Sequence, residues 1–136
     1  MGLDMYLTGE KSFMDDFEDP SKNIMEDGFR LRSKRYELGY WRKHPNLHGY
    51  MVQSFASGVD DCREIYLTEP DIREVISAIR TRKLPFTEGF FFGVSQTSDE
   101  RVAEDVAIFQ RALLWVSDME NRVPGEYRMV IYQASW

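Results

Sequence analysis

The sequence predicts an α+β fold: a mixed sheet of about four to five strands, with three main helices packed mostly on one face. Three observations lead there. Short stretches alternating at period two recur between longer stretches whose apolar residues return every three or four positions. The helical stretches open on capping residues and carry a single apolar stripe. The chain has 136 residues, 43% apolar and 14% aromatic, which suits one core and one domain over residues 1–136, with 9–28 as an acidic excursion or flap.

Taken in order, Leu3, Met5 and Leu7 alternate with Asp4 and Tyr6 and predict a short strand ending at Thr8-Gly9. The excursion follows, holding Phe13, Met14, Phe17, Ile24 and Met25 among its acids, with Pro20-Ser21 in its middle. From Phe29 to Arg35 apolar and basic residues alternate, either as the return arm of a hairpin or as the start of the next strand; Arg30, Arg32 and Lys34 read as a solvated face. Tyr36, Leu38 and Tyr40 then alternate with Glu37, Gly39 and Trp41, and Pro45 bars helix at the residue before it. Asn46 is placed to cap a helix with Leu47, Met51 and Phe55 on its apolar side and Gly58 as terminator.

A short strand is expected over Glu64–Leu67. Thr68-Glu69-Pro70-Asp71 is a capping sequence, and Ile72, Val75, Ile76 and Ile79 form the stripe of a second helix closed by Arg80, Arg82 and Lys83. The continuous apolar run Phe90–Val94 predicts a central strand covered on both faces. Thr97-Ser98-Asp99-Glu100 reads as a second capping box, opening a long helix with Val102, Val106, Phe109, Leu113 and Val116 on one side. Pro124-Gly125 ends it, and Tyr127–Trp136 is a final strand. Large apolar groups on both faces of that strand require it to be central or covered, and pairing with a second copy is one way to cover it, so a homodimer is expected.

Composition excludes several classes. No apolar run approaches the roughly 18 residues of a membrane span, and the N-terminus lacks the pattern of a secretory signal, so a cytosolic protein is expected. Cys62 stands alone and cannot form an intrachain disulfide. A net charge of −6 argues against direct nucleic-acid binding. The charge is uneven: residues 9–27 hold seven acids against two lysines, net −5, and residues 28–44 hold six cations against Glu37, net +5.

The stretch Glu37–His48 concentrates two aromatics, two cations and two histidines at the end of a strand and the start of a helix. Free N–H groups and the positive end of a helix dipole make such a corner suited to an anion, with Tyr40 or Trp41 free to stack on a ring. The plainer reading buries both aromatics and leaves Arg42 and Lys43 in solvent. His44 and His48 have the four-residue spacing of helical metal ligands, but Pro45 lies between them and no third ligand is fixed, so no metal is expected. No phosphate loop, dinucleotide fingerprint or nucleophile elbow occurs, and no cofactor is expected.

Several blocks together resemble a family of small bacteriophage and prophage proteins: Met1-Gly2-Leu3-Asp4-Met5-Tyr6-Leu7, Glu37–Lys43 with Leu47-His48, Asp61-Cys62, Leu84–Gly93 and the terminal Ser135-Trp136. The likeness spans the chain apart from the excursion, and carries no catalytic residues across. It implies a viral accessory role in the host bacterial cytoplasm. Joined to the cationic corner, it leads to an expected counter-defence protein that binds a nucleotide-like anion without turnover through Tyr40, Trp41, Arg42, Lys43, His48, Asp61 and Phe91. Two alternatives stand: an inhibitor that binds a host defence protein through the acidic excursion, and a nucleotide-directed hydrolase using His48 with Asp60 or Asp61.

Overall fold

The computed structural model describes residues 2–89 and 92–136. Its elements are β1 (Asp4–Phe13), a 3-10 turn (Pro20–Lys22), β2 (Met25–Glu26), β3 (Phe29–Arg30), β4 (Ser33–Arg42), α1 (Pro45–Phe55), β5 (Ile65–Leu67), α2 (Glu69–Arg80), α3 (Asp99–Ser117) and β6 (Glu126–Ser135). The main sheet runs β4-β1-β6-β5 and β2 pairs with β3 separately. The class is the α+β arrangement expected from sequence. Every pairing in the sheet is antiparallel, narrower than the mixed sheet anticipated.

The sheet registers show which face the helices cover. Met5 lies opposite Trp41 and Ala134, Leu7 opposite Gly39 and Tyr132, and Ile65 and Leu67 continue the row beyond β6; all are buried. Phe109 of α3 stacks on Trp41 with ring centres 5.5 Å apart. Glycines let α3 come this close: a Cβ at Gly39 would sit 2.5 Å from Ile108 Cγ2, and one at Gly9 2.9 Å from the Trp115 ring. The opposite face carries Tyr6, Tyr40 and Tyr66, partly exposed, beside Arg35, which bridges Glu10 and Glu64. Between Leu7 and Thr8 the register slips by one, Leu38 being the extra residue, and the bulge turns Tyr36 toward Trp115.

Several local expectations change. β6 lies between β1 and β5, so it is interior, and the edge-covering reason for a homodimer lapses. β1 runs four residues past Gly9, because β6 pairs with it to Phe13. Phe90 and Phe91 lie outside the described residues; Phe92–Val94, the rest of the expected central strand, form a turn and coil, and β1 and β6 take the central places. The second capping box is a single cap: Ser98 accepts from Arg101 N–H, and with Arg101 at the third position no side chain returns the bond. The box at Thr68 and Asp71 is complete.

The excursion leaves β1 and re-enters at β4, with Phe13 N–H bonded to Arg32 C=O at 3.0 Å. Its tip is the β2–β3 hairpin, turned by Asp27 (φ 53°) and Gly28 (φ 80°), both left-handed as a two-residue hairpin turn requires. The basic residues that follow are not simply solvated. Arg30 and Arg32 pair with Asp15, Lys34 with Glu26 and Arg35 with Glu10, so much of the charge asymmetry is settled within the chain.

Candidate functional site

Lys43, in the left-handed region at φ 54°, turns the chain from β4 into α1, and its N–H bonds Leu3 C=O at 2.8 Å. His44 becomes the residue before the helix but makes no side-chain cap, and Asn46 lies inside the helix rather than capping it. The cap comes from a distant segment: Ser95 Oγ accepts Asn46 N–H at 2.9 Å. His44, buried, stands between Ser95 and Asp105, with Nδ1 2.8 Å from Ser95 Oγ and Nε2 2.7 Å from Asp105 Oδ2. Asp105 also accepts Trp41 Nε1–H at 2.8 Å.

One proton arrangement satisfies every group. Nε2–H donates to Asp105, Nδ1 accepts the Ser95 hydroxyl, and the remaining Ser95 lone pair takes Asn46 N–H. Serine, histidine and aspartate are also the residues of a nucleophilic relay. Here Ser95 is buried and its oxygen serves as a helix cap, so the network fixes α1, α3 and β4 to one another.

The network floors a cleft of about 290 Å³ between the start of α1, the end of α2 and the start of α3. Ile79, Leu84 and Val102 give it apolar walls, and Asn46, Gln96 and Thr97 give it polar ones. Two arginines line it. Arg101 is only loosely held: Nε is buried without a hydrogen-bond partner, 3.6 Å from Asp105, and NH1 is 3.8 Å from Glu104. Arg82 is at φ 54° in the left-handed position just after α2, where glycine is the usual residue. Arg82 N–H bonds Ile79 C=O and Lys83 N–H bonds Ala78 C=O, closing the helix, while the guanidinium reaches Thr97 C=O at 2.6 Å and Asp99. A non-glycine residue in that conformation is a strained choice, and here its side chain ties the end of α2 to the start of α3.

His48 belongs to a second network. Its Nδ1 is 2.7 Å from Tyr132 Oη and its Nε2 2.9 Å from Asp60 Oδ1. Burial, with the charge of Asp60 behind it, holds the Tyr132 phenol well above its ordinary range. The adjoining space is about 10 Å³, room for one water and no ligand. Phe92 and Trp136 pack edge-on against the His48 ring with centres 5.4 and 5.6 Å away.

The residues picked from sequence are therefore spread out. Tyr40 and Arg42 are exposed on the open sheet face, Tyr40 donating to Asp4. Trp41 is buried on the other face, Lys43 is exposed beside Gly93, and His48 is buried in its own network. Asp61 is exposed and paired with Arg63, whose guanidinium holds its carboxyl below the usual range. Phe91 lies outside the described residues. His48 and Asp61 share the small space beside Tyr132; Tyr40, Trp41, Arg42 and Lys43 do not line it. The cleft residues Arg101 and Asp105, with Ser95 beneath them, escaped the sequence reading, and Arg82 was read only as closing the second helix. One signal was available, since Asp105 interrupts the apolar stripe of α3 between Val102 and Phe109.

Compared with protein-family models, with curated proteins and with solved structures, the chain finds no match. Among the described residues no helix is long and apolar enough to cross a membrane.

Proposed function

We propose that the protein captures a small anionic, ring-bearing ligand of the nucleotide class, without turnover, in the cleft between α1, α2 and α3. The observation that carries this reading is Arg101: a guanidinium on the wall of a 290 Å³ cleft, beside apolar Ile79, Leu84 and Val102, held only by ion pairs of 3.6 Å to Asp105 and 3.8 Å to Glu104 and with its buried Nε lacking a hydrogen bond. An arginine so placed matches a phosphate or carboxylate, and Arg82 stands close enough in the same wall to share the charge. A flat ring would lie on Ile79, Leu84 and Val102, with Gln96 and Thr97 at its edges. Relative to the corner expected from sequence, the anion site moves from Arg42 and Lys43 to the far side of His44. With the resemblance to bacteriophage proteins drawn from the sequence, the setting we propose for this capture is counter-defence in the host cytoplasm.

Titration calorimetry against mono-, di- and cyclic nucleotides tests it. Binding by at least one class is expected, weakened about a hundredfold by Arg101→Met, since an unpaired buried phosphate costs about 2–3 kcal/mol. No binding to any of them, in protein shown to be folded, would sink the reading.

A further inference from the structure

The excursion is ordered and yet leaves its largest apolar side chains in water. Its turn, its 3-10 segment and its ion pairs account for its shape, but Phe17 is 86% exposed and Met14 59%. Both line a groove of about 680 Å³ that runs between the excursion and the Val123–Gly125 turn, where Met14 N–H bonds Gly125 C=O at 2.9 Å. Ile24, Val123 and Pro124 continue its apolar lining. Apolar surface held open on an ordered frame marks a contact site rather than a folding defect.

Charge says what fits it. Over residues 14–32 six acids face three cations, net −3, and the groove itself carries Asp15, Asp16 and Glu18 against Lys22. Asp15 is matched by Arg30 and Arg32, whereas Asp16 bonds only backbone N–H groups and the Asn23 side chain bonds the Asp16 N–H in turn. The rim therefore keeps a negative field around an apolar centre. We infer that this groove docks a segment of a partner protein that carries an aromatic or aliphatic anchor flanked by lysine or arginine. The anchor enters beside Phe17 and Met14, and the flanking cations meet Asp16 and Glu18.

Selection of a random twelve-residue peptide library on the full chain tests this. Enriched peptides are expected to share a large apolar residue next to basic ones. Their affinity, measured by fluorescence polarisation, is expected to fall about tenfold or more with Phe17→Ser and to weaken as salt is raised. Leu114→Ser, a change at another exposed apolar residue, on α3 and outside the groove lining, is expected to leave it unchanged. Enrichment of nothing, of acidic or purely apolar peptides, or of peptides indifferent to Phe17→Ser overturns the inference. So does a mass of two chains by light scattering that reverts to one with Phe17→Ser, which would make the occupant a second copy. Near-ultraviolet circular dichroism of both variants shows that they are folded, and Phe17, being exposed, is not needed for that.

Discussion

Trp41 on β4 and Asp105 on α3, 64 positions apart in the chain, are joined by a 2.8 Å hydrogen bond from indole Nε1 to carboxylate Oδ1, with both side chains buried. The same carboxylate holds His44, so its removal strands two buried donors at once. Asp105→Ala is expected to cost about 3 kcal/mol of stability. Asp105→Asn keeps an oxygen for Trp41 and lets His44 turn its other tautomer to the amide, and is expected to cost about 1 kcal/mol. Urea unfolding of the two variants measures both, and an alanine variant as stable as the parent would remove the network from the account.

Gly39 is where α3 touches the sheet most closely. Gly39→Ala puts a methyl group 2.5 Å from Ile108 Cγ2 and is expected to destabilise by about 1–3 kcal/mol. Paired with Ile108→Ala, the two changes should cost less than their sum, because the second opens the space the first requires. Strict additivity in that double-mutant cycle would show that the contact is not what limits the position.

At Arg82 backbone and side chain pull apart. The left-handed backbone favours glycine, so Arg82→Gly is expected to be about 1 kcal/mol more stable than Arg82→Ala. Ligand affinity should drop by similar factors in both, since both lack the guanidinium. Thermal melts and calorimetry on the pair separate conformational strain from ligand contact.

The Tyr132 phenol has its pKa raised in the fold above the ordinary value of 10.0. The neutral form is therefore the one the fold favours. Its contribution to stability is whole below pH 10 and is lost as pH climbs beyond it. Ultraviolet titration is expected to show one of the seven tyrosines ionising only as the protein unfolds, and Tyr132→Phe should abolish that late step. The phenylalanine variant should also be less stable at neutral pH by about 1 kcal/mol, because His48 Nδ1 loses its donor. A late tyrosine that persists in Tyr132→Phe would assign the step elsewhere.

What could be read from the sequence was what is local. The Thr68–Asp71 box and the stripe of α2 depend on neighbours within four residues and stand as expected, whereas the alternation of β4 holds only from Gly39 to Arg42, since the bulge at Leu38 puts Tyr36 on the face opposite Tyr40. The cap of α1 could not be read, because it is Ser95, 49 residues from the N–H it serves. The residues picked for a site lie apart for a reason already present in the alternation: Tyr40 and Trp41 are adjacent on a strand, so their rings leave opposite faces. The cleft needed tertiary structure, since its two arginines stand 19 positions apart, Arg82 just past the end of α2 and Arg101 in the first turn of α3.

The pairing of β1 with β6 has a consequence for how the chain reaches this structure. Residues 4–13 find their partners at 126–135, so the middle of the sheet waits on the last strand to be made, while β4 and β1 can already meet as a hairpin. During synthesis the inner edge of β1 stays open until β6 slides between β1 and β5. Pairing between strands this far apart in sequence raises the contact order, which slows folding.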